Sequence, residues 1–268
     1  MEKNNKKILK KGEVLKLNIE NHDTKGRAYG FFEKIKIYIN INAAIGQIVE
    51  GIFIKRRHKY ELINCKILDF AGKKNAIYEE IERQSGGCNY QYYTYDEQLE
   101  IKTENIKKEL DKIIKYEYIF EKPIKSPKTE KYRNKMEFSF GNKEKDKPII
   151  LGLHKQNSFH DIVEVDGLKL MDDNFNQIYK FCNNFCKKFS KKWELNFYHR
   201  LTHIGYFRNL IIRKAEATKQ ILVNIVTTTQ INKEKQEFFQ KEFKDELLKL
   251  ELTDNFKITG ILHTYNDN

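Results

Sequence analysis

From Val14 to Ile67 apolar residues tend to alternate with polar ones, and glycine-bearing turns interrupt the alternation. A helix cannot use a period of two, because its side chains advance about 100° per residue and would scatter the apolar set. A strand places every second side chain on one face, so this stretch has to fold as strands that bury that face. "GEVLKLNIENH" supplies Val14, Leu15, Leu17 and Ile19, and "GRAYGFFEKIKIYINI" supplies Phe32, Ile35, Ile37, Ile39 and Ile41. Gly46 ends that run, and "QIVEGIFIKRRHKYELINCKILDF" supplies two more strands. Short strands at roughly 8–12-residue spacing predict a small closed β barrel of the oligonucleotide-binding type over residues 1–72.

The period then changes. Between Tyr95 and Ile114, Leu99, Ile106, Leu110, Ile113 and Ile114 lie near one helical face, opposite Lys102, Lys107 and Lys108, with Asp96 expected as N-cap. Beyond the basic, turn-rich "EKPIKSPKTEKYRNK", strands return in "MEFSFG" and "IILGLHKQN", joined by "NKEKDK", and again in "HDIVEVDGLKL". A helix capped by Asp172 or Asp173 follows, with Phe175, Ile178, Phe181, Phe185 and Phe189 as its stripe. A second hairpin turns near Glu216 to Lys219, then comes the helix "KEKQEFFQKEFKDELLKL" and the beginning of a strand, "ITGILHTYNDN". This order predicts an α+β domain with an antiparallel sheet over residues 73–268. A chain of 268 residues, 40% of them hydrophobic, has the length and the apolar content for two cores.

Charge narrows the partners. Fifty Lys and Arg against 38 Asp and Glu leave +12, a balance that favours polyanions because each neutralised phosphate releases counterions. Three basic clusters are candidate RNA contacts. Lys55, Arg56 and Arg57 sit between two strands, where they form either a phosphate grip or a solvated turn. Lys131, Arg133 and Lys135 flank Tyr132 ahead of a strand, either as a single-strand platform or as lysine protection of a sheet edge. Arg208 and Arg213 interleave with Tyr206, Phe207 and a β-branched run. His154, His160 and His203 lack metal-ligand spacing, and Cys182 and Cys186, one helical turn apart beside an apolar stripe, read as buried structural residues. No phosphate-cradling glycine loop, nucleophile elbow or paired-acid motif is visible, so composition and motifs alone give a basic two-unit protein without a catalytic site. Four irregularly spaced cysteines, a charged start and no apolar run near the ~20 residues of a bilayer span predict a cytoplasmic protein with no membrane association.

Several segments in register resemble the RNA uracil-5-methyltransferase family, the S-adenosylmethionine-dependent enzymes of ribosomal and transfer RNA. They are "GGCNYQYYTYDEQLEIK", "YRNKMEFSFG", "LGLHKQNSFHDIVEVDGLKL" and "THIGYFRNLIIRKAEATKQILVNIVT". The resemblance implies that residues 1–72 are a TRAM domain and residues 73–268 the central domain. It also implies that the Rossmann-like catalytic domain, with the cofactor site, the nucleophilic cysteine and the acidic base, is missing after Asn268. Helix 96–114 would pack on that domain. Some members hold an iron–sulfur cluster on four cysteines; here Glu79, Ser85 and Gly167 stand at three of those positions and Cys88 is a lone remnant, so no metal and no cluster are expected. The implied function is the RNA-recognition half of a 23S ribosomal RNA or transfer RNA uracil-5-methyltransferase. S-adenosylmethionine would serve the parent enzyme only, this chain would be inactive alone, and its partners would be RNA and the missing domain. The alternative is a stand-alone RNA-binding or adaptor protein.

Overall fold

The alternating stretch forms six strands in a computed structural model of the chain, which describes residues 9–69, 85, 89–142, 147–156, 158 and 160–268. They are β1 (Val14–Asn18), β2 (Asn21–His22), β3 (Ala28–Phe32), β4 (Ile35–Ile39), β5 (Ile48–Arg56) and β6 (Lys59–Asp69). The sheet order is β1-β5-β6-β4-β3-β2. Because β2 follows directly on β1, one stretch of chain supplies both outer strands of that order. Gly30 marks where this stretch crosses β3: a Cβ there would lie 2.0 Å from the Asn18 carbonyl oxygen, so no larger residue fits. The alternation buries Leu15, Leu17, Ile19, Ile37, Ile39, Val49, Phe53 and Leu62 in one core.

Helix α1 (Tyr95–Ile113) belongs to this first unit, which comprises residues 1–83 and 87–127; the second comprises 84–86 and 128–268. The sequence reading drew its boundary at residue 72 instead. Thr94, not Asp96, caps α1: its hydroxyl accepts from the Glu97 N–H and the Glu97 carboxylate accepts from the Thr94 N–H. Asp96 sits in the first turn, where a negative charge favours the helix dipole. The Asn105 side chain donates to the His22 carbonyl at 2.9 Å and ties α1 to β2.

The second unit holds β7 (Lys135–Gly141), β8 (Ile150–His154), β9 (Ile162–Val163), α2 (Asp173–Trp193), β10 (Phe207–Ala215), β11 (Gln220–Thr227), α3 (Lys233–Leu247) and β12 (Lys257–Tyr265). Its sheet order is β12-β11-β10-β7-β8-β9. Met136, Phe138, Leu210, Ile212, Val223 and Ile225 face one core with Phe175, Ile178, Cys182, Cys186 and Phe189 of α2 and Phe239, Phe243 and Leu247 of α3. Phe181 and Phe185 pack at its margin. Asp172 caps α2, accepting from the Phe175 N–H at 2.9 Å, and its carboxylate also pairs with the buried Lys214 of β10. That pair pins the start of α2 to the sheet.

The expected fold class needs correction. An all-β barrel followed by an antiparallel central sheet was anticipated, and both sheets are instead mixed. β4 runs parallel to β6, with Ile37 opposite Tyr60, and β11 runs parallel to β12, with Ile225 opposite His263. The second case has a clear cause: parallel neighbours need a long crossover, and α3 supplies it. Nothing local in "ITGILHTYNDN" states which strand it will join. The strand expected over "HDIVEVDGLKL" shortens to Ile162–Val163, because the Val165 N–H turns away to the Tyr179 hydroxyl at 3.0 Å and Gly167 adopts φ 71°.

Candidate nucleic-acid interface

In the first unit, β3 and β4 present a row of outward aromatic rings with cations over them. Tyr29 and Tyr38 are cross-strand partners with ring centroids 5.8 Å apart, and Phe31 lies 5.9 Å from Tyr29. Lys36 Nζ stands 3.5 Å from the Tyr29 centroid, the Arg27 guanidinium 4.6 Å from that of Tyr38, and Lys59 5.9 Å from the same ring. Arg27 is braced by Asp23, through Nε–H at 2.8 Å. Burial works against the Asp23 charge, but the hydrogen bonds from Arg27 and from the Lys25 N–H outweigh it and hold the carboxyl below its usual range. A cavity of about 570 Å³ beside these rings is lined by Lys25, Arg27, Lys36, Lys108 and Lys112 among others. Flat apolar rings edged by cations can stack unpaired bases while the cations take the backbone.

Each residue expected from sequence can be placed. Lys55, Arg56 and Arg57 occupy the exposed tip of the β5–β6 hairpin, where Arg56 pairs with Lys59 in register. Arg56 Nε also forms an ion pair with Glu61 at 3.0 Å, and Lys55 stands 5.6 Å over Tyr60. Lys59 therefore joins this tip to the Tyr38 ring. In the second unit Lys135 and Arg213 face each other directly across β7 and β10, both exposed. Like charges placed opposite each other in a sheet repel. Lys135 has some relief from Glu137 at 3.3 Å. Arg133 is exposed beside Tyr132, while Lys131 is engaged with Asp173 at 2.9 Å. Arg208 lies 4.0 Å over Tyr198 and is half-buried. The sequence reading missed Tyr29, Phe31, Lys36 and Tyr38, although the alternation that places Ile35, Ile37 and Ile39 inward sends Lys36 and Tyr38 outward.

The described cysteines show no sign of nucleophilic activation. Burial pushes the Cys65 thiol up to about 11 and raises those of Cys182 and Cys186 as well. Cys88 and Glu79 lie outside the described residues. Ser85 is buried and forms a bridge with Lys155, and the Gly167 N–H donates to Asn176 at 3.1 Å. S-adenosylmethionine needs a glycine-bearing turn between a parallel strand and its helix. In the unit β11–α3–β12 that turn contains no glycine, the Thr228 hydroxyl donates to the Gly205 carbonyl and Asn232 caps α3. These residues do not fit that cofactor. No helix among the described residues is long and apolar enough to cross a membrane.

No protein-family model matches the sequence. It is 34% identical over 272 residues to an uncharacterized RNA methyltransferase of Caldanaerobacter subterraneus, covering 96% of this chain and 54% of that protein. A similar protein of Clostridium tetani is 33% identical over 262 residues, covering 97% and 54%. The chain is thus similar to RNA methyltransferases over nearly all of its own length. It spans about half the length of these curated relatives. The fold is also similar to that of the Pyrococcus abyssi tRNA (uracil-54, C5)-methyltransferase in complex with S-adenosyl-L-homocysteine, with a TM-score of 0.58 and 18% identity, over 83% of this chain and 48% of that one. The expectation of a missing Rossmann-like catalytic domain is withdrawn. It rested on where the sequence ends, whereas the likeness to a methyltransferase extends over most of this chain.

Proposed function

We propose that this chain acts in methylation of uridine carbon 5 in ribosomal or transfer RNA and that its described residues supply RNA recognition, as the RNA-recognition half of such an enzyme. The first unit stands where the family resemblance puts the TRAM domain. The observation that carries the reading is the Tyr29–Tyr38 pair with Lys36 and Arg27 over its rings. A surface of this kind gains from stacking on any base and from neutralising phosphates. The raised thiols of Cys65, Cys182 and Cys186 favour binding over methyl transfer as the task of these residues, since a nucleophilic cysteine needs a depressed pKa.

The test is fluorescence anisotropy with loop-bearing fragments of unmodified ribosomal and transfer RNA, alongside a labelled-methyl assay. Wild type should bind, and Tyr29→Ala/Tyr38→Ala should lose roughly 10- to 100-fold in affinity, as expected for one stacked base at ~1–3 kcal/mol. The chain alone should transfer no methyl groups. Wild-type binding that the double substitution leaves unchanged would remove the platform from the interface. Absence of binding at low salt would overturn RNA recognition altogether.

A further inference from the structure

The second unit contains a polar recess that none of the stacking surfaces explains. It measures about 160 Å³, and its walls include Ser139, His154, His160, Arg200, Arg208 and Asn209, with no Asp or Glu side chain.

Its cations are held in place without Asp or Glu partners. Arg208 Nη1 donates to the Asn266 carbonyl oxygen at 2.8 Å and to the oxygen of the last residue, Asn268, at 2.6 Å, with the guanidinium stacked on Tyr198. Its Nε and Nη2 have no hydrogen bond among the described residues. Arg200 rides on a braced loop: the His199 N–H donates to the Ile204 carbonyl at 2.8 Å, and Gln230 joins the Gly205 N–H to the His203 carbonyl. The Arg200 guanidinium likewise has no hydrogen bond or ion pair among the described residues. Next to it runs a neutral chain, in which Asn209 Nδ2 donates to Ser139 Oγ at 3.1 Å and that hydroxyl lies 3.2 Å from His154 Nε2. His154 Nδ1 is buried without a partner among the described residues. Burial, then the charge of Arg200 and the electrostatic influence of His160, keeps His154 below the usual histidine range.

Two guanidiniums beside neutral donors, with no acid among the lining residues, form a site short of negative charge. The planar arginine fork matches the oxygens of a phosphate. We propose that the recess binds one phosphate of an RNA backbone, gripped by Arg200 and Arg208 and received by the His154–Ser139–Asn209 chain. This assignment rests on the RNA-binding reading and names one of its contacts.

The experiment has two arms on the full chain. In the first, inorganic phosphate is titrated at constant ionic strength while the imidazole proton signals of His154 and His160 are followed by NMR, with chloride as control. Wild type should show a saturable shift that is lost in Arg200→Gln. In the second, RNA affinity is measured against salt, and Arg200→Gln should weaken binding and flatten the slope by about one unit. Arg200 is exposed, and an unchanged melting temperature will confirm that the variant folds. Unshifted histidine signals, or an unchanged slope while wild type still binds RNA, would overturn the recess and leave the wider reading intact. A phosphate shift without any wild-type RNA binding would overturn both the RNA source of the phosphate and the wider reading.

Discussion

His22 carries the acid sensitivity of the first unit. Its ring is buried, donates one hydrogen bond from Nε2 to the Ala43 carbonyl oxygen, and leaves Nδ1 without a partner among the described residues. Burial dominates over the opposing Ala43 bond and the Asp23 charge, and lowers its pKa from 6.5 to about 4. Between those values the unfolded chain binds a proton that the folded chain does not, so stability rises with pH across that window. The contribution is complete above about pH 6.5 and falls as pH drops toward 4, by up to ~3 kcal/mol. Urea titrations at pH 7 and pH 5 should show the midpoint falling, and His22→Gln should reduce that fall. An equal fall in the variant would mean that other groups carry it. Gly205 is constrained differently. It holds φ 124°, and a Cβ there would lie 2.0 Å from the Phe197 carbonyl oxygen, whereas Gly167 holds φ 71° with open space around it. Gly205→Ala should therefore cost several kcal/mol and Gly167→Ala only about 1–2. Equal melting temperatures for the two variants would show that the Phe197 contact yields easily.

At the scale of elements, β7 and β10 trade stability for a basic surface. Lys135 and Arg213 repel across the ladder, so Arg213→Glu should stabilise the second unit by a few tenths to ~1 kcal/mol by creating an opposite-charge pair. The same change should weaken RNA binding and flatten its salt slope by more than one unit, because a cation is replaced by an anion. Denaturant midpoints and salt-dependent anisotropy on one preparation test both halves. A variant that gains stability and keeps its affinity would place this strand pair outside the interface. Helix α1 shows where element-level reading stops. Its existence follows from periodicity, but Ile106 at 53% and Ile113 at 78% exposure do not follow the apolar face that the spacing suggests. Asn105, a polar residue, is the buried one, since the His22 carbonyl needs its amide.

For the whole molecule, the excess of +12 sets the character of binding more than any single contact. If about six cations reach phosphates, affinity for single-stranded RNA should fall with a slope of roughly −4 in log–log salt dependence. A slope near zero would assign the charge to general solvation. Lys131 and Arg56 contribute less than their position suggests, because Asp173 and Glu61 already partner them. Arg200 contributes more, and no basic cluster in the sequence announces it.

Sequence alone determined which stretches are strand or helix and which side of each strand is buried, because period and turn chemistry are local properties. It also carried the family resemblance and the sign of the charge. Tertiary structure decided the parallel pairing of β11 with β12, since a crossover helix fixes direction only once it packs on the sheet. It decided as well which cations are free. Glu61 lies five residues from Arg56 and Asp173 lies 42 residues from Lys131. An ion pair forms by distance in space, and the spacing of these residues along the chain does not encode that distance.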